Sequence, residues 1–245
     1  MIPIRDDNPH FLTPYATYAI VGLNVLAWAW LQGFGFEPGL SRSVCTLGLV
    51  PGELLQSVAP GTQVQLGPEV YCTVTDTPAW ISLFTHMFLH GSWMHIIGNM
   101  WFLWIFGDNV EESLGRLRYL AYYLLTGLCA AGLQVASAPT SVMPMVGASG
   151  AISGILAGYV LLHPRARIVT LVPLVIFFTT FEIPAFWFIF IWFGLQLLNG
   201  LVSLQSLSQD GGVAWWAHVG GFVFGMIAIT MLRRQARRSE AWVED

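Results

Sequence analysis

Ser149 stands where a Pro-containing polar stretch gives way to an apolar run, in the sequence Gly147-Ala148-Ser149-Gly150. Gly150, Gly154 and Gly158 then recur every fourth position, which predicts a helix with one smooth face and a hydroxyl at its head. Such a serine becomes a nucleophile once a base comes within hydrogen-bond reach. The base on offer is His218, which opens a second apolar run with Gly220, Gly221 and Gly225. A Gly154/Gly158 face set against a Gly221/Gly225 face would let the two backbones approach closely and bring Ser149 to His218. A third polar group lies in the run His90-Gly91-Ser92-Trp93-Met94-His95-Ile96-Ile97-Gly98-Asn99. His95 and Asn99 are four apart and share a helix face, and imidazole and amide donors suit a developing oxyanion.

Plainer roles exist for each residue. Spaced glycines can serve packing alone, a lone His in an apolar helix can simply bond a carbonyl, and Asn99 can tie two helices together. His86 and His90 are also four apart, a metal-ligand spacing, but no Glu accompanies them as a zincin site would require. We therefore expect neither a metal nor a cofactor.

These side chains need a scaffold, and composition says what kind. Of 245 residues, 55% are apolar and 10% charged, with a mean hydropathy of +0.63. Soluble domains carry about 25% charged residues, so this is a membrane protein. The ten basic residues are all Arg, which excludes a Ser–Lys pair, and they form no stripe that would bind nucleic acid. The fourteen acidic residues fall in expected loops or at helix ends, which excludes an intramembrane aspartyl dyad. The polar groups left at depth are Asn24, His90, His95, Asn99, Gln134, Ser149, Ser153, Gln196, Asn199 and His218. Hydrolytic chemistry among them has to be Ser–His.

Six apolar runs are expected to span the bilayer, at 15–34, 93–106 and beyond, 119–135, 149–162, 184–204 and 214–232. The run 169–178 follows His163-Pro164-Arg165, contains Pro173, and reads as an interfacial or buried lead-in to the fifth span. Placing the N-terminus in the cytoplasm puts nine Arg residues inside and only Arg42 outside. At ~1.5 Å per residue, Ser149 then lies about 24 Å above Arg165 and His218 about 22 Å above Arg233, two nearly equal depths. The expected organisation is a single membrane domain over 1–245, with a six-helix core at about 15–232, an external loop at 35–78, and cytoplasmic tails 1–14 and 233–245. The external loop holds Cys45 and Cys72, either bridged or as free thiols, while Cys129 reads as packing. Residues 1–10 resemble neither a signal peptide nor a transit segment.

Taken together, these residues resemble the rhomboid family of intramembrane serine proteases. The carriers are His90, His95 and Asn99, then Gly147-Ala148-Ser149-Gly150, then His218 with Gly221 and Gly225. The stretches Phe84-Thr85-His86-Met87-Phe88-Leu89-His90 and 107–115 with Glu111 add to the likeness. The resemblance implies an all-α polytopic membrane protein, a six-transmembrane-helix rhomboid-like bundle. It implies Ser149 as nucleophile and His218 as general base with no third acidic member. His95, Asn99 and the Ser149 backbone N–H would form the oxyanion hole. The fifth helix and the loop 205–213 would act as gate and cap. Two positions depart from the family pattern: the first loop reads Trp80-Ile81-Ser82 where a Trp-Arg pair is common, and Ser153 stands where an aromatic residue commonly stacks on the catalytic His.

The implied activity is a serine endopeptidase cleaving transmembrane segments of membrane proteins near the outer face. The alternative is a catalytically weak or inactive relative that binds membrane-protein clients. The expected partners are transmembrane protein substrates and the lipid bilayer, and the sequence leaves the oligomeric state open. The expected location is a bacterial cytoplasmic membrane, multi-pass, with both termini cytoplasmic.

Overall fold

The computed structural model describes residues 2–174, 177–205 and 213–241. Strand β1 (Ile2–Asp6) leads to α1 (Tyr15–Leu26), which continues through a wide π turn, Ala27–Leu31, and a 3-10 turn. Short helices α2 (Gly39–Leu47) and α3 (Pro51–Leu54), the hairpin β2 (Gln63–Gly67) and β3 (Val70–Thr73), and α4 (Ser82–Thr85) build the loop region. The remainder is α5 (Trp93–Leu114), α6 (Arg116–Ser137), α7 (Ser149–Leu162), the hairpin β4 (Arg167–Leu174) and β5 (Phe177–Pro184), α8 (Ala185–Gln205) and α9 (Trp215–Ala241). Among the described residues, three helices are long and apolar enough to cross a membrane: Arg116–Ser137, Ala185–Leu204 and Trp215–Leu232. Tyr15–Leu31 and Ser149–Leu162 are apolar but shorter.

The chain is mostly helical, yet the all-α expectation needs correcting. β1, β4 and β5 form an antiparallel sheet in the order β1-β4-β5, and β2 pairs with β3. The run 169–178, read from sequence as a lead-in to the fifth span, instead supplies most of β4 and the first residues of β5. Its Val, Ile, Thr and Phe residues favour strands, and the N-terminal strand supplies the partner, with Ile2 opposite Leu171 and Asp6 opposite Ile168. Sequence periodicity gives no warning of a pairing such as Asp6 with Ile168, from distant parts of the chain. The sheet follows the C-terminal end of α7, so it lies at the end of the bundle away from Ser149. Asp6 accepts a hydrogen bond from Tyr159 and, at 3.3 Å, one from Asn109. Half-burial pushes the Asp6 carboxyl up to about 6, partly offset by the Tyr159 bond.

Without a hydrophobic force between helices in lipid, association rests on close packing and internal hydrogen bonds. The α7–α9 seam has both. A Cβ at Gly225 would lie 2.7 Å from the Gly154 Cα, and one at Gly221 would collide with the Gly150 carbonyl oxygen. Tyr122 of α6 reaches into this seam and donates to the carbonyls of Gly154 (2.6 Å) and Gly225 (3.0 Å). Gly158 differs from expectation: the group nearest it is the Tyr122 hydroxyl on α6, so α9 meets Gly150 and Gly154 instead.

Buried polar groups fix the other helices. α1 has no side-chain N-cap of its own. The Glu111 carboxylate of α5 fills that role, accepting from the backbone N–H of Ala16 (2.9 Å) and Thr17 (2.7 Å) and from the Thr17 hydroxyl. A carboxylate at a helix N-terminus meets orphan donors and the positive end of the dipole. In the loop region Glu53 is likewise buried and accepts from the Thr75 N–H at 3.0 Å. Cys45 and Cys72 are bridged, with Cα atoms 5.1 Å apart, closing the alternative left open by sequence.

Candidate active site

Four helix segments converge at the end of the bundle opposite the three-stranded sheet. α7 begins at Ser149, so its first backbone N–H groups have no partner within the helix. The chain enters through Gly147 at φ +129°, a conformation that favours glycine, and the Gly147 N–H donates to the His86 carbonyl at 2.8 Å. A side chain here would also collide with His95, whose Nε2 would be 2.7 Å from a Gly147 Cβ. His95 therefore sits against the loop that carries the serine.

His218 lies in the first turn of α9, whose N-terminal end is held in part by Gln134 of α6, which accepts from the Ala217 N–H at 3.2 Å. With the α7–α9 seam closed by glycines, the His218 Nε2 stands 2.8 Å from the Ser149 Oγ. Its Nδ1 stands 2.7 Å from the Oε1 of Gln196 on α8. An amide oxygen only accepts, so Nδ1 carries the proton and Nε2 is left with a lone pair facing the serine. Gln196 is mostly buried, as is His218. Sequence reasoning placed Gln196 among the polar residues at depth but gave it no role. The available signal was an amide side chain in a mostly apolar helix, a signal Asn199 shares.

α5 supplies the third wall. Ser92 caps it, accepting from the His95 N–H at 3.2 Å. Gln32 pins the preceding loop in both directions, donating to the His90 carbonyl and accepting from the His90 N–H, each at 2.7 Å. Sequence reasoning did not single out Gln32. The His90 ring is fully buried and stands edge-on to His95 at 5.0 Å between centroids. Asn99, one turn beyond His95, is mostly buried, and its Nδ2 has no hydrogen-bond partner. Ser153 gives its hydroxyl back to the Ser149 carbonyl at 2.7 Å and is fully buried. Trp192 of α8 lies by the His218 ring at 5.9 Å between centroids, and Trp215 at 6.1 Å. The loop 205–213, expected as a cap, lies outside the described residues at 206–212.

Ser149, His218, Gln196, His95 and Asn99 all line one cavity of about 1030 Å³. Met94, Gly98 and Phe102 of α5 and Trp192 and Gln196 of α8 are among its lining. It also extends to Glu37, Leu66 and Val70 of the first loop and to Met143–Gly147 residues before the serine. A nucleophile in contact with a neutral base, beside an unpartnered amide N–H, is an arrangement that can carry out acyl transfer.

Fold and site together define a polytopic helical membrane protein with a serine–histidine pair at one end of its bundle. The Rhomboid domain model matches residues 77–235, and the chain belongs to the rhomboid family. It is similar to rhomboid-like protein 11, chloroplastic, of Arabidopsis thaliana, 40% identical over 80 residues, which cover 33% of this chain and 28% of the relative. It is similar to presenilin-associated rhomboid-like protein A, mitochondrial, of Danio rerio, 30% identical over 148 residues, covering 57% and 34%. Rhomboid protease GlpG of Salmonella paratyphi A is 29% identical over 147 residues, covering 58% of this chain and 45% of its own length. The chain thus spans less than half the length of each of these relatives. Chloroplastic and mitochondrial proteins stand among them, so they do not support the expected bacterial location.

Proposed function

We propose that this chain is an intramembrane serine endopeptidase that cuts transmembrane segments of other membrane proteins. The observation that carries the reading is the 2.8 Å contact between the Ser149 Oγ and the His218 Nε2. Ser149 attacks the scissile carbonyl as its proton passes to the His218 Nε2. The carbonyl oxygen becomes an oxyanion held by the Asn99 Nδ2, His95 and the Ser149 backbone N–H. His218 then protonates the leaving amine, and the C–N bond breaks to leave an acyl-enzyme. Water attacks that ester, giving its proton to His218, which returns it to Ser149. Among the described residues no carboxylate bonds His218; the Gln196 Oε1 accepts from its Nδ1–H throughout.

In this reading the chain is one membrane domain in which α1, α5, α6, α7, α8 and α9 all cross the bilayer, with both termini on the cytoplasmic side. Nine of ten Arg residues then lie inside. The substrate enters between α5 and α8, where the cavity is walled by Met94, Gly98, Phe102 and Trp192. A reporter fused near Gly61 should read as external, and a cytoplasmic signal there overturns the orientation.

The test is labelling by a fluorophosphonate, with cleavage of a labelled transmembrane substrate, in wild type, Ser149→Ala and His218→Ala at equal expression. Wild type should react slowly and both variants not at all. Undiminished labelling of a well-folded His218→Ala protein refutes the pair. A wild type that binds substrates without cutting them favours the client-binding alternative instead.

A further inference from the structure

Ser149 and His218 come from α7 and α9, but the far side of the imidazole is held from a third helix. One turn past Ser149, α7 offers only Ser153, and its hydroxyl is already bonded to the Ser149 carbonyl at 2.7 Å. Apart from Trp215 on its own helix, the contacts on that side of the ring come from α8. The Gln196 Oε1 meets Nδ1 at 2.7 Å, and the Trp192 ring lies 5.9 Å from the imidazole, tilted by 38°. Trp192 and Gln196 are one helical turn apart, so they present to His218 from a single face of α8.

The amide is itself oriented. The Gln196 Nε2 donates to the Trp192 carbonyl at 3.3 Å, which turns Oε1 toward the ring. An Oε1 in that place accepts only from a protonated Nδ1, and that tautomer alone leaves Nε2 free to take the serine proton. With the amide reversed, two donors would face each other across 2.7 Å or the ring would hold its proton on the wrong nitrogen.

We propose that Gln196 is the positioning residue of the base, selecting the His218 tautomer that can receive a proton from Ser149. This rests on the protease reading for its catalytic consequence, but the tautomer itself can be observed without catalysis. It also assigns α8 a part in setting the base as well as walling the cavity.

The experiment uses the full chain in detergent as wild type, Gln196→Met, which keeps the length with only a weakly accepting sulfur, and Gln196→Leu, which has no acceptor. Histidine-labelled protein is examined by 15N NMR, with His218→Ala identifying the His218 signals. The wild type should show the Nδ1–H tautomer, and the variants should move toward the Nε2–H form. In parallel, fluorophosphonate labelling of Ser149 should slow by at least about tenfold, short of the ~10²–10⁴-fold expected for losing a general base outright. Substrate KM and melting temperature should stay near wild type. An unchanged tautomer, or an unchanged labelling rate in folded variants, overturns the proposal. A wild type that never labels, with a tautomer that still responds to Gln196→Met, removes the protease reading and leaves the positioning contact supported.

Discussion

Gly225 lies two turns below His218 on α9, and its replacement by Ala tests whether helix packing sets the reacting pair. A Cβ there would stand 2.7 Å from the Gly154 Cα and 2.9 Å from the Gly154 carbonyl oxygen. Both are backbone atoms of α7, so no rotamer change relieves the clash. Ordinary carbon contact begins at ~3.4 Å, so α9 has to retreat by roughly 0.7 Å. Carried up the seam, that retreat stretches the Ser149–His218 contact from 2.8 Å toward roughly 3.5 Å, where a hydrogen bond has nearly vanished. Overpacking of this kind costs about 1–3 kcal/mol, and misplacement of reacting groups by about 1 Å costs up to ~10²-fold in rate. We expect Gly225→Ala to lower thermal stability in detergent and to slow fluorophosphonate labelling by roughly ten- to a hundredfold. Gly194→Ala on α8 is the control, because a Cβ there meets nothing within 4 Å. Ala should leave it unchanged or stabilise the helix by up to ~1 kcal/mol. Wild-type labelling and melting in Gly225→Ala would refute the idea that the glycine seam holds the pair in register.

Asn99→Ala removes an amide N–H that has no partner in the resting protein. Turnover should fall by roughly ten- to a thousandfold with melting almost unchanged; a protein that unfolds instead has lost a structural tie. Breaking the Cys45–Cys72 bridge opens a link across 27 positions, worth about 3–4 kcal/mol in the ideal chain-entropy account. Reduction should make the 35–78 loop sensitive to proteolysis, and mass spectrometry that finds both thiols free without reductant refutes the bridge. Asp6 is a carboxyl whose folded pKa, about 6, lies above its ordinary 3.8, so the native state binds more protons between those values. Its contribution to stability is greatest at low pH and declines as pH rises from about 4 through 6. Asp6→Asn, which still accepts from Tyr159, should raise the melting temperature at pH 7 and flatten its slope between pH 4 and 7; curves parallel to wild type rule this out.

Much of this protein is written in local sequence. An apolar composition with few charges dictates a membrane scaffold, because lipid penalises every unpaired polar group. Removing Lys from the chain and acids from its mid-spans leaves Ser and His as the means of hydrolysis. Ser149 at a helix head and the glycines every fourth position around it are legible because helical periodicity is local. Which surfaces meet is not local. Gly158 belongs to the same periodic row as Gly154, yet it faces Tyr122 of α6, because α9 crosses α7 nearer to Gly150. Strands β4 and β5 need β1 from the other end of the chain to complete their sheet. Glu111, at a helix end, becomes the buried cap of another helix because α1 has no capping side chain of its own. Gln196 carries no motif, and only the docking of α8 against α9 brings its amide oxygen to His218. Sequence periodicity decides what each helix can present; the choice of partner depends on how all the helices pack at once, and that choice sets the contacts around Ser149 and His218.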